Sequence, residues 1–140
     1  MAHNGCRQKI LLKFNSKLIQ HLLIRVGKGV KGIPIVRESS GLALSSRNML
    51  LSAEEHKKAP IIYQILSESC IFVAQKQPHE VRNWVLNEFQ NTGLDVEYFE
   101  IVDGYSLQPV SSWNESDYIV GCIAVFCGKI RLIDNIPFKR

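Results

Sequence analysis

Acidic residues are missing from the first 31 positions of this 140-residue chain. That segment holds seven Lys and Arg residues, whereas the whole chain has 17 basic and 13 acidic residues. Residues 32–140 therefore carry ten basic and 13 acidic side chains, a net charge of −3. A mildly acidic body disfavours a general nucleic-acid surface, so we expect no nucleic-acid partner. The composition break near Lys31 predicts two parts, a basic segment over residues 1–31 and a domain over residues 32–140.

Long hydrophobic runs are also missing. The longest apolar-rich stretch, Tyr118 to Cys127, is interrupted by Gly121. It is far shorter than the roughly 20 residues that a membrane-spanning helix needs. The first residues contain no apolar core leading to a small-residue cleavage site, which a secretion signal would have. These absences predict a cytoplasmic protein that has no membrane partner.

The chain has no C-x-x-C pair. Its four cysteines are scattered along the sequence, at Cys6, Cys70, Cys122 and Cys127. Zinc sites usually draw their thiolates from closely spaced pairs, so this spacing does not indicate a metal site. We expect the cysteines to be small, mostly buried residues.

Apolar spacing and end signals predict helices in the first half of the chain. A weak helical stripe predicts a helix over about Ser16 to Val26, so that the basic segment is partly helical. Ser52-Ala53-Glu54-Glu55 fits a capping box, in which a serine and a glutamate each bond the other's backbone amide. A helix should begin there, be kinked or interrupted at Pro60, and continue to about Gln75.

The second half predicts one more helix and then strands. Pro78 should start the helix and Gly93 should end it. The strand candidates are Val96–Val102, Tyr118–Phe126 and Ile130–Ile136. Because the last two are separated only by Cys127-Gly128-Lys129, we expect them to form a hairpin. The pattern predicts an α+β fold, with helices packed on one face of a small, mostly antiparallel three-stranded sheet.

One short stretch offers groups suited to phosphate binding. Ser45, Ser46 and Arg47 supply two hydroxyls, loop amides and a planar guanidinium that can bind two oxygens at once. The same residues also fit a solvated loop in which Arg47 pairs with a nearby acid. The residue types alone leave both interpretations open.

Three longer segments resemble one enzyme family. The stretch GIPIVRESSGLALSSRNMLLSAEEHKKAP resembles the start of the C-terminal domain of the pantoate–β-alanine ligases, also called pantothenate synthetases. The stretches YFEIVDGYSLQPV and IAVFCGKIRLIDNI resemble two later segments of that domain, in the same order. The resemblance runs from about Gly32 to Ile136. It implies the lid domain of a nucleotidyl-transferase-like α/β enzyme.

The resemblance implies a reaction in two steps. ATP, accompanied by Mg²⁺, activates the carboxylate of pantoate as pantoyl adenylate and releases pyrophosphate. The amine of β-alanine then displaces AMP to give pantothenate, a precursor of coenzyme A. A cytoplasmic homodimer is implied for the full-length enzyme, and its partners would be ATP, pantoate and β-alanine.

The same resemblance implies the site residues. Its L-S-S-R loop is similar to the Lys-Met-Ser-Lys-Ser loop of class I tRNA synthetases. Leu44, Ser45, Ser46 and Arg47 would bind ATP, with Ser46 and Arg47 acting in catalysis on its phosphates. Val36 would contact the nucleotide through its backbone.

Two features of the chain differ from the family pattern. The segment FNSKLIQ is a distorted form of the family's G-x-K-D-x-x-Q, so Lys17 is either a phosphate ligand or an ordinary helix-surface lysine. No H-x-G-H motif, the signature of the family's N-terminal domain, occurs here. We therefore expect this chain alone to be inactive. The alternative function is a non-catalytic interaction or dimerisation module that keeps the lid fold.

Two later segments are interpreted as structural. Arg131 and the pair Asp134-Asn135 should fix the last strand and its turn through local backbone bonds. Trp113, in a Ser-Ser-Trp-Asn loop, is predicted to be exposed.

Overall fold

The basic segment ends in a β-hairpin. The computed structural model describes residues 35–140 in full and the backbone of residues 23–26 and 29–32. Strands β1 (Leu23–Val26) and β2 (Gly29–Gly32) pair antiparallel, with Leu23 opposite Gly32. The predicted helix over residues 16–26 is therefore wrong over Leu23–Val26, and its earlier part lies outside the described residues. The β-branched Ile24 and Val26 suit a strand. A short apolar run does not by itself distinguish a strand from a helix, which is why the pattern could be read as helical.

Two helices, α1 (Ala53–Lys58) and α2 (Ile61–Ser69), lie on either side of the predicted interruption at Pro60. The Ser52 hydroxyl accepts from the amide of Glu55, and the Glu55 carboxylate accepts from the amide of Ser52, so the capping box is confirmed. Pro60 stands between the helices because its ring cannot be accommodated inside one continuous helix. A 3₁₀ segment, Cys70–Ala74, continues α2 almost to the predicted end.

Helix α3 spans Pro78–Phe89, with its predicted proline in the first turn. Glu80 accepts from the amide of Gln77 at 2.8 Å and so caps the start. Val81, Val85 and Phe89 are buried along one face of the helix. Gly93 has a φ of 73°, a left-handed conformation that glycine adopts without strain after a helix end.

The sheet has three antiparallel strands in the order β3 (Asp95–Asp103), β4 (Ile119–Cys127) and β5 (Ile130–Lys139). The predicted hairpin joins β4 to β5, and Gly128 adopts a φ of 58° in its turn. One sheet face packs against α2 and α3 through a shared apolar core that includes Leu66, Val85, Phe99 and Ile123. The predicted α+β fold, with helices on one face of an antiparallel three-stranded sheet, is confirmed.

The loop between β3 and β4 holds a tryptophan that is less exposed than predicted. The indole Nε1 of Trp113 donates to the carbonyl of Lys76 at 2.7 Å. Its ring packs on Phe138, with the ring centroids 5.4 Å apart. Trp113 is therefore half-buried, because the end of β5 covers it. Sequence alone did not show that the two residues meet.

The described cysteines are protonated structural residues. Cys70, Cys122 and Cys127 are free thiols, and Cys127 is buried as expected. Burial, with a smaller contribution from Asp134, raises the pKa of Cys122 to about 12. Within residues 35–140, no group of three or more His, Cys, Asp or Glu side chains is arranged to hold a metal ion. Cys6 lies outside the described residues.

None of the described helices is both long enough and apolar enough to cross a membrane.

Candidate functional site

A tight antiparallel loop connects residue 35 to the first helix and carries the predicted site. Arg37 and Ala43 form an isolated antiparallel bridge, and the amide of Leu44 donates to the carbonyl of Val36 at 2.9 Å. Gly41 closes the turn with a φ of 91°, which a residue with a side chain would adopt only with strain. Val36 and Leu44 are thereby brought side by side, and both side chains are exposed.

The serines and the arginine begin a short 3₁₀ helix over Ser46–Leu50. Ser45 is its N-cap, and the Ser45 hydroxyl accepts from the amide of Arg47 at 3.2 Å. The Ser46 hydroxyl has no hydrogen-bond partner among the described residues. A serine at this position accepts from an amide at the helix start. By fixing the backbone there, it also fixes the positions from which the side chains of Ser46 and Arg47 extend.

A buried amide holds this 3₁₀ helix against the loop. The side chain of Asn48 is almost fully buried. Its Nδ2 donates to Oε1 of Glu38 at 2.7 Å and to the carbonyl of Ala43 at 3.0 Å. Sequence reasoning missed Asn48, although it directly follows Arg47. Its burial and its two acceptors were not visible from residue type alone.

An ion pair ties the loop to the last strand. Arg37 binds both carboxylate oxygens of Asp134, with its two terminal nitrogens at 2.7 and 2.9 Å. The same guanidinium donates to the carbonyls of Gly41 and Asn135 and lies 3.8 Å from the ring centre of Tyr63. Burial raises the pKa of Asp134, and the hydrogen bonds and positive charge of Arg37 oppose that rise.

The sequence interpretation of the last strand was therefore incomplete. The amide of Asn135 does donate to Oδ1 of Asp134 at 2.7 Å, which is the expected local bond. The main partner of Asp134 is nevertheless Arg37, which is 97 positions away. Arg131 donates to the carboxylate of Glu97 at 2.6 Å, across the central strand β4 that separates β5 from β3.

The predicted phosphate-binding residues do not all face one space. An open cavity of about 770 Å³ lies beside the loop, and its wall includes Leu44, Ser45, Ser46, Glu38, Asn48 and His56. Arg47 does not line it. Its terminal nitrogen donates to the carbonyl of Arg131 at 3.2 Å, and the side chain is exposed.

Arg47 is without an acidic partner in residues 35–140, where every ion pair of the loop involves Arg37 or His56 instead. The interpretation in which Arg47 pairs with a nearby acid is thus not supported there. Val36 lies next to the cavity through its bond to Leu44, and Lys17 lies outside the described residues.

Comparison with known proteins assigns the chain to a family. The family model for "Pantoate-beta-alanine ligase" matches residues 8–137 of the chain. The chain belongs to the pantoate-beta-alanine ligase family. The match begins well inside the basic segment, so the boundary near Lys31 and the division into residues 1–31 and 32–140 stay predictions.

Curated relatives in the family cover most of this chain. A pantothenate synthetase of Bacteroides thetaiotaomicron is 54% identical over 112 residues, which is 79% of this chain and 40% of that protein. The pantothenate synthetase of Azobacteroides pseudotrichonymphae is 40% identical over 129 residues, 91% of this chain and 42% of that protein. The chain thus spans about two-fifths of the length of these relatives.

A solved relative has the same architecture. The crystal structure of pantothenate synthetase from Thermus thermophilus superposes with a TM-score of 0.71 at 30% identity, covering 95% of this chain and 47% of that one. The family recognised from the three sequence segments is therefore confirmed. The roles of individual residues are not tested by the likeness.

Proposed function

We propose that this chain supplies the ATP-phosphate-binding part of a pantoate–β-alanine ligase. The reaction would be the ATP-dependent condensation of pantoate with β-alanine through pantoyl adenylate. The observation that carries the proposal is the cavity edge formed by Leu44, Ser45 and Ser46, with the exposed Arg47 next to it. Family membership supports these substrates, and the loop geometry supports phosphate binding at this edge.

The loop has the donors that a polyphosphate requires. The hydroxyl of Ser46, which has no partner among the described residues, lies at the cavity wall, where it could donate to a phosphate oxygen. The single bond of Arg47 to a backbone carbonyl is exposed, so turning the guanidinium toward a phosphate costs little. A guanidinium can then bind two phosphate oxygens at once. Asn48 and the Arg37–Asp134 pair hold the loop backbone in place while Arg47 moves.

These donors would act on the leaving group of the first step. A pantoate carboxylate oxygen forms a bond to the α-phosphorus of ATP, and the bond from that phosphorus to the bridging oxygen of pyrophosphate breaks. Negative charge grows on the departing pyrophosphate, and fixed donors aimed at it lower the barrier. Holding the reactants together provides much of the remaining acceleration. The amine of β-alanine then attacks the acyl carbon, and AMP leaves.

Magnesium has no assigned ligands in this part of the protein. The described residues contain no cluster of acidic side chains suited to it. Mg²⁺ usually keeps several waters and binds through substrate phosphates. We propose that it arrives bound to ATP.

Titration of ATP·Mg²⁺ into the chain, followed by amide chemical shifts, tests the proposal. We expect weak binding, with the largest shifts at Ser45, Ser46 and Arg47. Arg47→Ala should weaken it by about tenfold or more, because a hydrogen bond to a charged group contributes roughly 1.5–3 kcal/mol. Arg140→Ala is the matched control, since it removes an exposed guanidinium at the other end of β5.

Two results would count against the phosphate role. One is ATP binding of equal strength in Arg47→Ala and the parent chain. The other is a set of shifts confined to surfaces away from the cavity. Equal effects of Arg47→Ala and Arg140→Ala would show that only net charge matters.

A second candidate, the interaction module, is favoured by exposed apolar side chains beside the same loop. Met49 is 88% exposed and Leu50 is 67% exposed. Neighbouring large apolar side chains at a surface are typical of contact sites. Sedimentation of the chain and of Met49→Ser would distinguish the functions, because a module predicts association that this substitution weakens and that ATP leaves unchanged.

A further inference from the structure

A carboxylate and an imidazole face each other in the wall of the cavity. Oε2 of Glu38 lies 3.3 Å from Nε2 of His56. The His56 side chain is 43% exposed and that of Glu38 is 22% exposed, so water screens the pair only in part. Because both residues line the cavity that Ser45 and Ser46 line, the pair belongs to the proposed phosphate site.

Glu38 also connects the two halves of the loop. Its second oxygen, Oε1, accepts from Nδ2 of Asn48 at 2.7 Å. Its backbone amide donates to the carbonyl of Leu42 at 2.8 Å. Any change in the charge or position of the Glu38 side chain therefore alters the bond to Asn48, and with it the 3₁₀ helix that carries Ser46 and Arg47.

The charge of Glu38 works against the ligand proposed here. An uncompensated carboxylate in the wall repels a polyphosphate, whereas a protonated imidazole beside it cancels that charge. The charged groups on the elements around His56 are Glu38 and Arg37 from the loop, Arg47 from the 3₁₀ helix, and Glu54, Glu55, Lys57 and Lys58 from α1. Arg37 is bound to Asp134, and Glu55 caps its own helix. Glu38 is the acidic partner closest to His56.

We propose that His56 is a positioning residue that, when protonated, neutralises Glu38 and thereby strengthens binding of an anionic phosphate ligand at Ser45 and Ser46. This inference rests on the proposed function of the loop. An imidazole carries a positive charge only when it is protonated, and a lower pH favours protonation. Affinity for the phosphate ligand should therefore fall as the pH rises.

The test compares the parent chain with His56→Gln and His56→Arg, using ATP·Mg²⁺ at about pH 6 and about pH 8.5. Comparing proteins at one pH cancels the ligand's own titration. At the lower pH the parent chain should bind roughly three- to tenfold more tightly than His56→Gln, and at the higher pH equally well. His56→Arg keeps a positive charge, so it should bind more tightly than His56→Gln at both. His79→Gln, which removes an exposed imidazole at the start of α3, should behave as the parent chain.

A readout without ligand separates positioning from a general structural role. The side-chain amide signals of Asn48 should shift with pH in the parent chain and stay constant in His56→Gln. Loss of stability alone would not produce that dependence.

The possible outcomes divide clearly. A ratio of affinities, parent to His56→Gln, that is the same at both pH values overturns the inference. So does an Asn48 signal that titrates equally in His56→Gln. If Arg47→Ala weakens ATP binding but both His56 variants bind as the parent does, the inference fails and the proposed function stands. If the parent chain does not bind ATP·Mg²⁺ at all, the proposed function fails and takes the inference with it.

Discussion

At the residue scale, the site depends on polar side chains whose partners are fixed by burial. Asn48 illustrates this, because its amide is enclosed by the loop and its two bonds from Nδ2 go to Glu38 and Ala43. A buried donor that loses its acceptors, or acceptors that lose their donor, incur a desolvation cost. Ser46 and Arg47 have the opposite character, with exposed donors available to a ligand.

Asn48→Ala should lower the free energy of unfolding by about 1–3 kcal/mol, because it leaves the buried carbonyl of Ala43 and a partly buried oxygen of Glu38 without their donor. Urea denaturation of the chain measures this. Asn114→Ala, which truncates an exposed loop asparagine, is the matched control and should change stability little. Equal effects of the two substitutions would contradict the anchoring role of Asn48.

Asp103 gives a prediction on acid stability. Its carboxylate accepts from the hydroxyls of Ser106 and Ser116 and from the amides of Tyr105 and Ser106. Burial raises the pKa of Asp103, but these hydrogen bonds together outweigh it and hold the pKa below its usual value. The resulting stabilisation is present above the unfolded-state pKa of about 3.9 and is lost as the pH falls through the folded-state pKa.

Asp103→Asn should therefore be less stable than the parent chain near neutral pH, and the difference should shrink below about pH 4. Urea denaturation over this pH range checks it. Asp95→Asn, at the exposed start of β3, serves as the control. A stability difference that does not change with pH would show that the hydrogen bonds do not depend on the charge of Asp103.

At the element scale, the site loop is fixed by its attachment to a strand distant in sequence. The two bonds between Arg37 and Asp134 join the loop to β5, and Tyr63 on α2 stacks against the same guanidinium. The loop is therefore attached to both layers of the fold, helix and sheet. Local capping sets where α1 and α3 begin, whereas this tertiary contact sets the position of the loop.

Arg37→Ala should destabilise the chain by about 3–5 kcal/mol, because it leaves the carboxylate of Asp134 buried without its partner. Asp134→Ala should cost a similar amount, and the double substitution should cost clearly less than the sum. Thermal or urea unfolding of the four proteins measures the coupling. Glu100→Ala breaks a more exposed pair with Arg82 and should cost no more than about 1 kcal/mol. Additive effects at Arg37 and Asp134 would mean that the pair does not act as a unit.

At the scale of the whole molecule, the described residues form a small α+β domain with the site loop at its surface. Helices on one sheet face form the core, and the cavity opens beside the loop. Relatives are about two and a half times as long as the matched region. The cytoplasmic location and the homodimer stay predictions, as do the roles of Val36, Leu44, Ser45, Ser46, Arg47 and Lys17.

Much of the fold was predictable because its signals are local. The signals at the helix ends each act within one helical turn, so they mark helix boundaries without knowledge of the rest of the chain. They are Ser52 with Glu55, Pro60, Pro78 and Gly93. The two strand candidates separated only by the Cys127-Gly128-Lys129 turn likewise specify a hairpin. The hairpin of β1 and β2 was missed because its first strand, Leu23–Val26, is a short apolar run that fits the spacing of a helix as well as that of a strand.

The sequence by itself determined the family, the order of elements after residue 52, and the residue types in the proposed phosphate loop, because these depend on neighbouring positions. Only the tertiary structure decided that Arg37 pairs with Asp134, that Trp113 packs on Phe138, and that Glu38 and His56 share a wall with Ser45 and Ser46. Each of these requires residues far apart in the chain to meet, and partners at that separation are selected by packing rather than by local pattern. The bond from Arg47 to the carbonyl of Arg131, 84 positions away, is another contact that only the tertiary structure decided.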